Sequence, residues 1–362
     1  MVFRFLWVGL LYVLVSSAVL HAFMEKWGFR GDASFGLESL LDHTTYKPFV
    51  YRVLSPILIR QVSDAIPASV VDRLKPFVLE ESNLLEYRRD GESWGIEKAI
   101  HFHVAYGYLF LCLLVAMLMA RRLVRFAADS SPLMEDLAPA ITLLFLPLTF
   151  HLGGYLYDFP ELAFIFGAVV CIFEKRFWLF YVVFVLAILN KESNVLLAGL
   201  FFAVLYRQIS NKALIGHLSL QVVIGTLLLF AVRYHFRDVS GRGAEFHLFE
   251  NLHFWFSPRA YVGVLEGYAP LIPLPQGLNI VTLFLATTIL YFGWRRASVN
   301  IRLLLVVSLV MNIPLMVVFG YLDEIRILSL SFPAFFLIAC HAIPTIYAVG
   351  DRPRTGNTVP ER

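Results

Sequence analysis

The sequence predicts an all-α, polytopic integral membrane protein. Its 362 residues are 59% hydrophobic and only 16% charged, with a mean hydropathy of +0.70. Apolar runs near the length of a bilayer core recur along the chain, separated by short polar knots. Basic residues fall on alternate connections between those runs, as the preference of Lys and Arg for the cytoplasmic side requires. A soluble fold of this length would divide into two or three domains, but composition overrides that expectation.

Taken in order, the candidate spans are 3–23, 101–120, 137–153, 159–173, 177–190, 193–206, 213–234, 277–294, 303–321 and 327–348, about ten in all. A segment that crosses lipid must satisfy its own backbone, so each reads as a helix. The first run opens Met1-Val2-Phe3-Arg4 and ends His21-Ala22-Phe23, a poor small-x-small cleavage site, and it reads as an uncleaved anchor. The spans at 159–173 and 177–190 are short, which tilt or local membrane thinning accommodates. Residues 1–350 form a single membrane domain, and the polar, Pro-containing stretch 351–362 reads as a disordered cytoplasmic tail.

The N-terminus is placed inside by charge. Arg121, Arg122 and Arg125, then Lys175 and Arg176, Arg207 and Lys212, Arg295, Arg296 and Arg302, and finally Arg352 and Arg354 then share one face. Both termini are cytoplasmic in this reading, and the protein sits in a cell inner membrane. The outer face receives two long connections, 24–100 and 235–276. Loops of that size in a compact protein are usually functional. Within the first, Pro48–Ile66 is apolar but interrupted by Arg52, Pro56 and Arg60, and reads as an interfacial helix. Val70–Leu79 reads as a second helix, and 80–98 as a solvated charged stretch. The second loop is rich in aromatics and prolines, suited to capping a cavity or resting at headgroup level.

The charged residues near the outer face are the candidates for chemistry. Asp158 and Glu161 lie three apart, on one helix face, with Pro160 between them. A structural N-terminal cap explains them as simply as a carboxylate site does. Lys191 and Glu192 sit between two apolar spans, as a snorkelling pair or as a phosphate-binding lysine with its positioning neighbour. Glu324 and Arg326, after Asp323, read as an exposed ion-paired turn or as an anion site. Asp32 and Asp42 follow the first span, and Arg52 and Arg60 are eight apart on the interfacial segment, with forks suited to phosphate. Cys112, Cys171 and Cys340 lie in apolar runs without pairing or ligand spacing, and read as buried small hydrophobes. The chain has no metal-ligand motif, no phosphate loop, no nucleophile elbow and no dinucleotide fingerprint. The small net charge of +3 fits basic inner loops and gives no surface for nucleic acid.

These features resemble the GT-C class of polytopic membrane glycosyltransferases, including bacterial members that use a polyprenyl-phosphate sugar. The resemblance rests on Asp32 and Asp42 after the first span, on the segment Pro48–Ile66, and on three short stretches. Those are Tyr157-Asp158-Phe159-Pro160-Glu161-Leu162, Leu189-Asn190-Lys191-Glu192-Ser193 and Asp323-Glu324-Ile325-Arg326. A tight acidic doublet directly after the first span, common in the class, is missing. The resemblance implies sugar transfer from a lipid phosphate to an outer-face acceptor. Asp32, Asp42 or Asp158 would be the general base, and Arg52, Arg60, Lys191 and Arg326 would hold phosphate beside Glu161, Glu192 and Glu324. No cofactor is assigned; the class leaves room for a divalent metal, which no spacing here supports. The implied partners are a polyprenyl-phosphate lipid and the bilayer, with the oligomeric state open. Two other readings stand beside this one: a transporter or flippase of lipid-linked or polar solutes, and a non-catalytic assembly subunit.

Overall fold

The computed structural model describes residues 2–26, 36–87, 94–127, 131–150, 154–265, 274–275 and 277–350. Asp32 and the tail 351–362 lie outside the described residues. Fifteen α-helices are described: α1 (Val2–Lys26), α2 (Leu37–Leu41), α3 (Leu54–Asp64), α4 (Ala68–Pro76), α5 (Ile96–Val124), α6 (Pro132–Leu144), α7 (Asp158–Phe173), α8 (Phe177–Asn190), α9 (Leu197–Leu205), α10 (Asn211–His235), α11 (Leu248–Trp255), α12 (Arg259–Val262), α13 (Ile280–Trp294), α14 (Val299–Phe319) and α15 (Phe332–Gly350). The described β-structure is an antiparallel pairing of Val264–Leu265 with Leu274–Pro275 and a bridge between Lys47 and Gly241.

Among the described residues, six helical segments are long and apolar enough to cross a membrane: Phe3–Lys26, Ile96–Val124, Pro132–Thr149, Asn211–His235, Val299–Phe319 and Ile325–Ile346. Three shorter apolar helices accompany them: Phe177–Asn190, Glu192–Leu205 and Ile280–Trp294. The chain is therefore an α-helical, multi-pass membrane protein. Several spans start earlier than hydropathy places them, because polar caps and flanking residues lie inside the helix. Ser131 accepts a bond from the Met134 amide, Ser210 from Ala213 and Ser298 from Ile301, so α6, α10 and α14 each begin at a serine cap. Asn279 opens α13 in the same way through the Val281 amide.

The first long loop is more structured than its charge suggests. Pro48 does not start a helix. It precedes a single 3-10 turn, Phe49–Tyr51, and α3 begins only at Leu54. The stretch read as solvated supplies two buried apolar anchors, Leu84 and Trp94, to the core around α5. Ser82 pairs with His103 of α5 at 2.7 Å. In α4 none of the side chains is buried, and Val70 and Leu74 are exposed.

The centre of the bundle is α7. It packs on α5 along one side and on α8, α9 and α15 along others. Of its sixteen residues, only Phe164 and Phe173 are not buried. Burial on nearly all sides places α7 inside the bundle rather than against lipid. Its first turns join the apolar cluster of α1, α5 and α6, while Ile165–Ile172 join the cluster of α8, α9, α14 and α15. Against lipid lie α10 and α13, whose Leu227, Phe230, Ile280 and Phe284 are exposed.

The two ends of the bundle are polar in different ways. At one end Arg4 of α1 and Arg121 of α5 share Asp136 of α6, at 2.5 and 2.7 Å. Arg122 pairs with Glu174 just beyond α7, and Arg176 lies 3.0 Å from the same carboxylate. This end ties α1, α5, α6 and α7 together. Cys171 and Cys340 are buried and Cys112 half-buried, all as free thiols.

Close helix approach is paid for at Gly293, where α13 meets α15. A Cβ there would lie 2.2 Å from the Ile338 carbonyl oxygen. Small residues permit such backbone contact where lipid gives no hydrophobic drive. Gly293→Ala should therefore lower stability by about 1–3 kcal/mol, as overpacking does. Thermal unfolding in detergent measures this, and an unchanged midpoint would contradict the tight α13–α15 contact.

Candidate functional site

The opposite end of the bundle carries the site. Two carboxylates occupy the first turn of α7, where the helix dipole favours negative charge. Both are buried, Asp158 and Glu161 alike. They point at cations delivered by two other segments. Lys191 follows the last residue of α8, in extended backbone. Its ammonium lies 2.6 Å from Glu161 Oε2 and 3.7 Å from Asp158 Oδ1. Arg326 comes from the 3-10 turn Ile325–Ser331 that leads into α15. Its guanidinium donates to Asp158 Oδ2 at 2.5 Å and to Glu324.

The remaining valences are closed by uncharged partners. The Tyr155 amide donates to Asp158 Oδ2 at 2.9 Å, and the Ser329 hydroxyl to Glu161 Oε1 at 3.0 Å. Asn190 donates to the Tyr157 carbonyl and accepts from Ser55 of α3, so α8, α3 and the turn before α7 are locked together.

Arg52 joins this group from the first loop. It donates to the Tyr157 hydroxyl, and its Nε lies 3.8 Å from Glu192. The rings of Tyr155 and Tyr157 stack with centroids 5.2 Å apart. Arg52 lies 4.0 Å from the Tyr157 centroid and Arg326 4.2 Å from that of Tyr155. Each guanidinium thus rests over one ring of a stacked pair, a favourable arrangement when it is desolvated. Burial works against the Arg52 charge, but Tyr157 and Glu192 outweigh it and hold the group firmly protonated.

Beside this cluster lies Asp323, also buried. Burial raises its carboxyl above the ordinary range, although the amides of Gly277 and Leu278 and the nearby Lys26 pull the other way. It ties the start of α13 to the turn before Arg326.

Of the residues singled out in the sequence, the structure brings together Arg52, Asp158, Glu161, Lys191, Glu192, Glu324 and Arg326. It does not bring in Asp42 and Arg60, which pair with each other at the surface with side chains 58% and 43% exposed. Asp32 falls outside the described residues. Tyr155, Tyr157, Ser329 and Asn190 shape the site, and charge patterning does not single them out. Their sequence signal is adjacency to charge: Tyr155 and Tyr157 precede Asp158, Asn190 precedes Lys191, and Ser329 follows Arg326. Among the described residues no group of three or more His, Cys, Asp or Glu side chains gathers to hold a metal ion.

Four atoms in the cluster are buried without a hydrogen bond: Asp158 Oδ1, Arg52 Nε, Arg326 Nε and Glu192 Oε2. Asp158 Oδ1 and the Arg52–Glu192 pair are served only by looser ion contacts at 3.7 and 3.8 Å. The cluster joins three cations and four carboxylates, of which Asp158, Glu161 and Arg326 are buried, and leaves some hydrogen-bonding atoms unused. Comparison with protein-family models, with curated proteins and with solved structures gives no match.

The two ion-paired groups should differ sharply in their energetic weight. Lys191→Met strips Glu161 of its cation in a buried setting, and should destabilise the protein by about 3–5 kcal/mol. Arg60→Ala removes an exposed pair and should cost about 0–1 kcal/mol. Unfolding in nanodiscs measures both, and equal effects would contradict the burial of the Lys191 pair.

Proposed function

We propose that the protein is a membrane glycosyltransferase that moves a sugar from a polyprenyl-phosphate donor to an acceptor on the outer face. The observation that carries this reading is the convergence of Arg52, Lys191 and Arg326 with Asp158 at one end of the bundle. In this reading α7 and the three shorter apolar helices also cross, giving ten crossings. The Arg121, Arg122 and Arg176 end then faces the cytoplasm of an inner membrane together with both termini, and α3 lies along the outer interface.

The chemistry follows from the valences. An acceptor hydroxyl attacks the anomeric carbon, its proton passes to a carboxylate, and the bonding pair leaves with the phosphate. Asp158 is the base that the geometry favours, since Oδ1 carries no hydrogen bond and Arg326 holds the other oxygen. Asp42 is committed to Arg60 away from the cluster. The departing phosphate needs cations aimed at its developing charge. All three basic groups already face carboxylates, so a phosphate must displace one. The Arg52–Glu192 contact at 3.8 Å is the loosest, and Glu192, 24% exposed, is the most accessible side chain of the cluster. The phosphate therefore enters against Arg52, with Lys191 next to it and Glu192 swinging away.

Protein in nanodiscs of neutral lipid, titrated with undecaprenyl phosphate and separately with a uridine-diphosphate sugar, tests this. The lipid phosphate should bind and the nucleotide sugar should not. Arg52→Ala should weaken lipid-phosphate binding by about 1.5–3 kcal/mol, as loss of a charged hydrogen bond does. Asp158→Asn should retain binding and lose transfer. Nucleotide-sugar binding without lipid binding would contradict the reading, and solute transport without a transfer product would favour a transporter.

A further inference from the structure

The second long connection holds a surface that the ion cluster does not use. Helix α11 is fixed to the end of α14 by a set of polar bonds. The buried Asn251 side chain donates to the carbonyls of Val317 and Gly320 at 3.0 and 2.8 Å, and accepts from the Leu322 amide at 2.6 Å. The His247 amide donates to the Val318 carbonyl at 3.0 Å, and Trp255 Nε1 donates to Leu322. The last carbonyls of a span have no intrahelical partner, and near hydrocarbon they must find one. Here α11 supplies it, so its height along the bundle is set by the end of α14.

With Asn251 and Trp255 turned inward, the opposite face of the helix is apolar and unpartnered. Phe249, Leu252 and Phe256 follow the three-and-four spacing of one helical stripe. Phe249 is 83% exposed and Phe256 86%. Phe246, just before the helix, is 71% exposed and packs edge-on to Phe319 of α14 at 4.9 Å. The stripe thus meets the last turn of α14 through Phe246. It is bordered by Glu250, His253 and Arg259, all exposed, as the polar flank of an interfacial helix should be.

We infer that α11 is an interfacial anchor whose Phe249 and Phe256, with Phe246, insert into the headgroup and acyl boundary of the bilayer. The occupant of this face is lipid, because Asn251 and His247 fix the helix at the level of a span's last turn, where the bilayer boundary lies, and Phe246 packs on that turn. Helices of this kind sink their apolar face roughly 5–10 Å into that boundary. The inference is independent of the sugar-transfer reading, because it uses none of the ion cluster.

Single substitutions Phe249→Cys and Phe256→Cys, each labelled with an environment-sensitive fluorophore in liposomes, test it. Both positions are exposed, so the fold is not at stake, and the unsubstituted protein carried through the same labelling gives the background from Cys112, Cys171 and Cys340. Asp238→Cys, whose native side chain is 88% exposed, is the aqueous control. Labels at 249 and 256 should show blue-shifted emission. Lipid carrying a quencher high on its acyl chain should quench them, and aqueous iodide should not, the reverse of the label at 238. Iodide quenching equal to that at 238 would overturn the inference. Protection from both quenchers with cysteine cross-linking between copies would also overturn it, since a second chain would then cover the face.

Discussion

The structure depends on two carboxylates that open a helix with no lipid-facing side. Asp158 and Glu161 stand at the start of α7, and fourteen of its sixteen residues are buried. Carboxylates so placed cannot be left to water, and uncompensated they would cost several kcal/mol each. The bundle answers with Lys191 from the end of α8 and Arg326 from the turn before α15. Those two cations fix where α8 ends and how α15 begins. Lys191 is held in extended backbone, which breaks the helix between two apolar runs. Ser329, donating to Glu161, sits in the 3-10 turn of Ile325–Ser331 rather than in regular α-helix. The electrostatic demand of one helix end thus reaches into three neighbouring elements.

The opposite end meets the same kind of demand differently. Asp136 is shared by Arg4 and Arg121, and Glu174 by Arg122 and Arg176. There each acid sits between two arginines, and its role is accounted for by tying helices together. Around Asp158 the balance is reversed, with more carboxylates than cations and several valences unused. Buried polar groups without partners are expensive, and each calls for an explanation. That contrast in charge balance separates the two ends of the bundle.

Much of this was legible in the sequence, for physical reasons. Hydropathy reads apolar runs directly, so the all-α membrane class and the positions of α7 and α8 followed from the two runs flanking Lys175. Charge beside a span is costly, so Asp158, Glu161, Lys191 and Arg326 stood out as well. What was not legible depends on three-dimensional pairing. Nothing local separates Arg52, which reaches Tyr157 of a distant segment, from Arg60, which stays at the surface with Asp42. Asp136 reads as a loop acid, because its two arginines come from the ends of α1 and α5. Tyr155 and Tyr157 look like ordinary interfacial aromatics until each carries a guanidinium. The helix in the first loop starts later than its apolar run, at Leu54, because the backbone around Pro48 makes a 3-10 turn first.

The central claim is that a buried charge pair joins α7 to the turn before α15 and stabilises the bundle. A double-mutant cycle on Asp158→Asn and Arg326→Gln, read as unfolding free energy in nanodiscs, tests it most directly. A coupled pair should show each single change costing several kcal/mol and the double change costing clearly less than their sum, by about 0.5–3 kcal/mol. Strict additivity of the two changes would contradict the account.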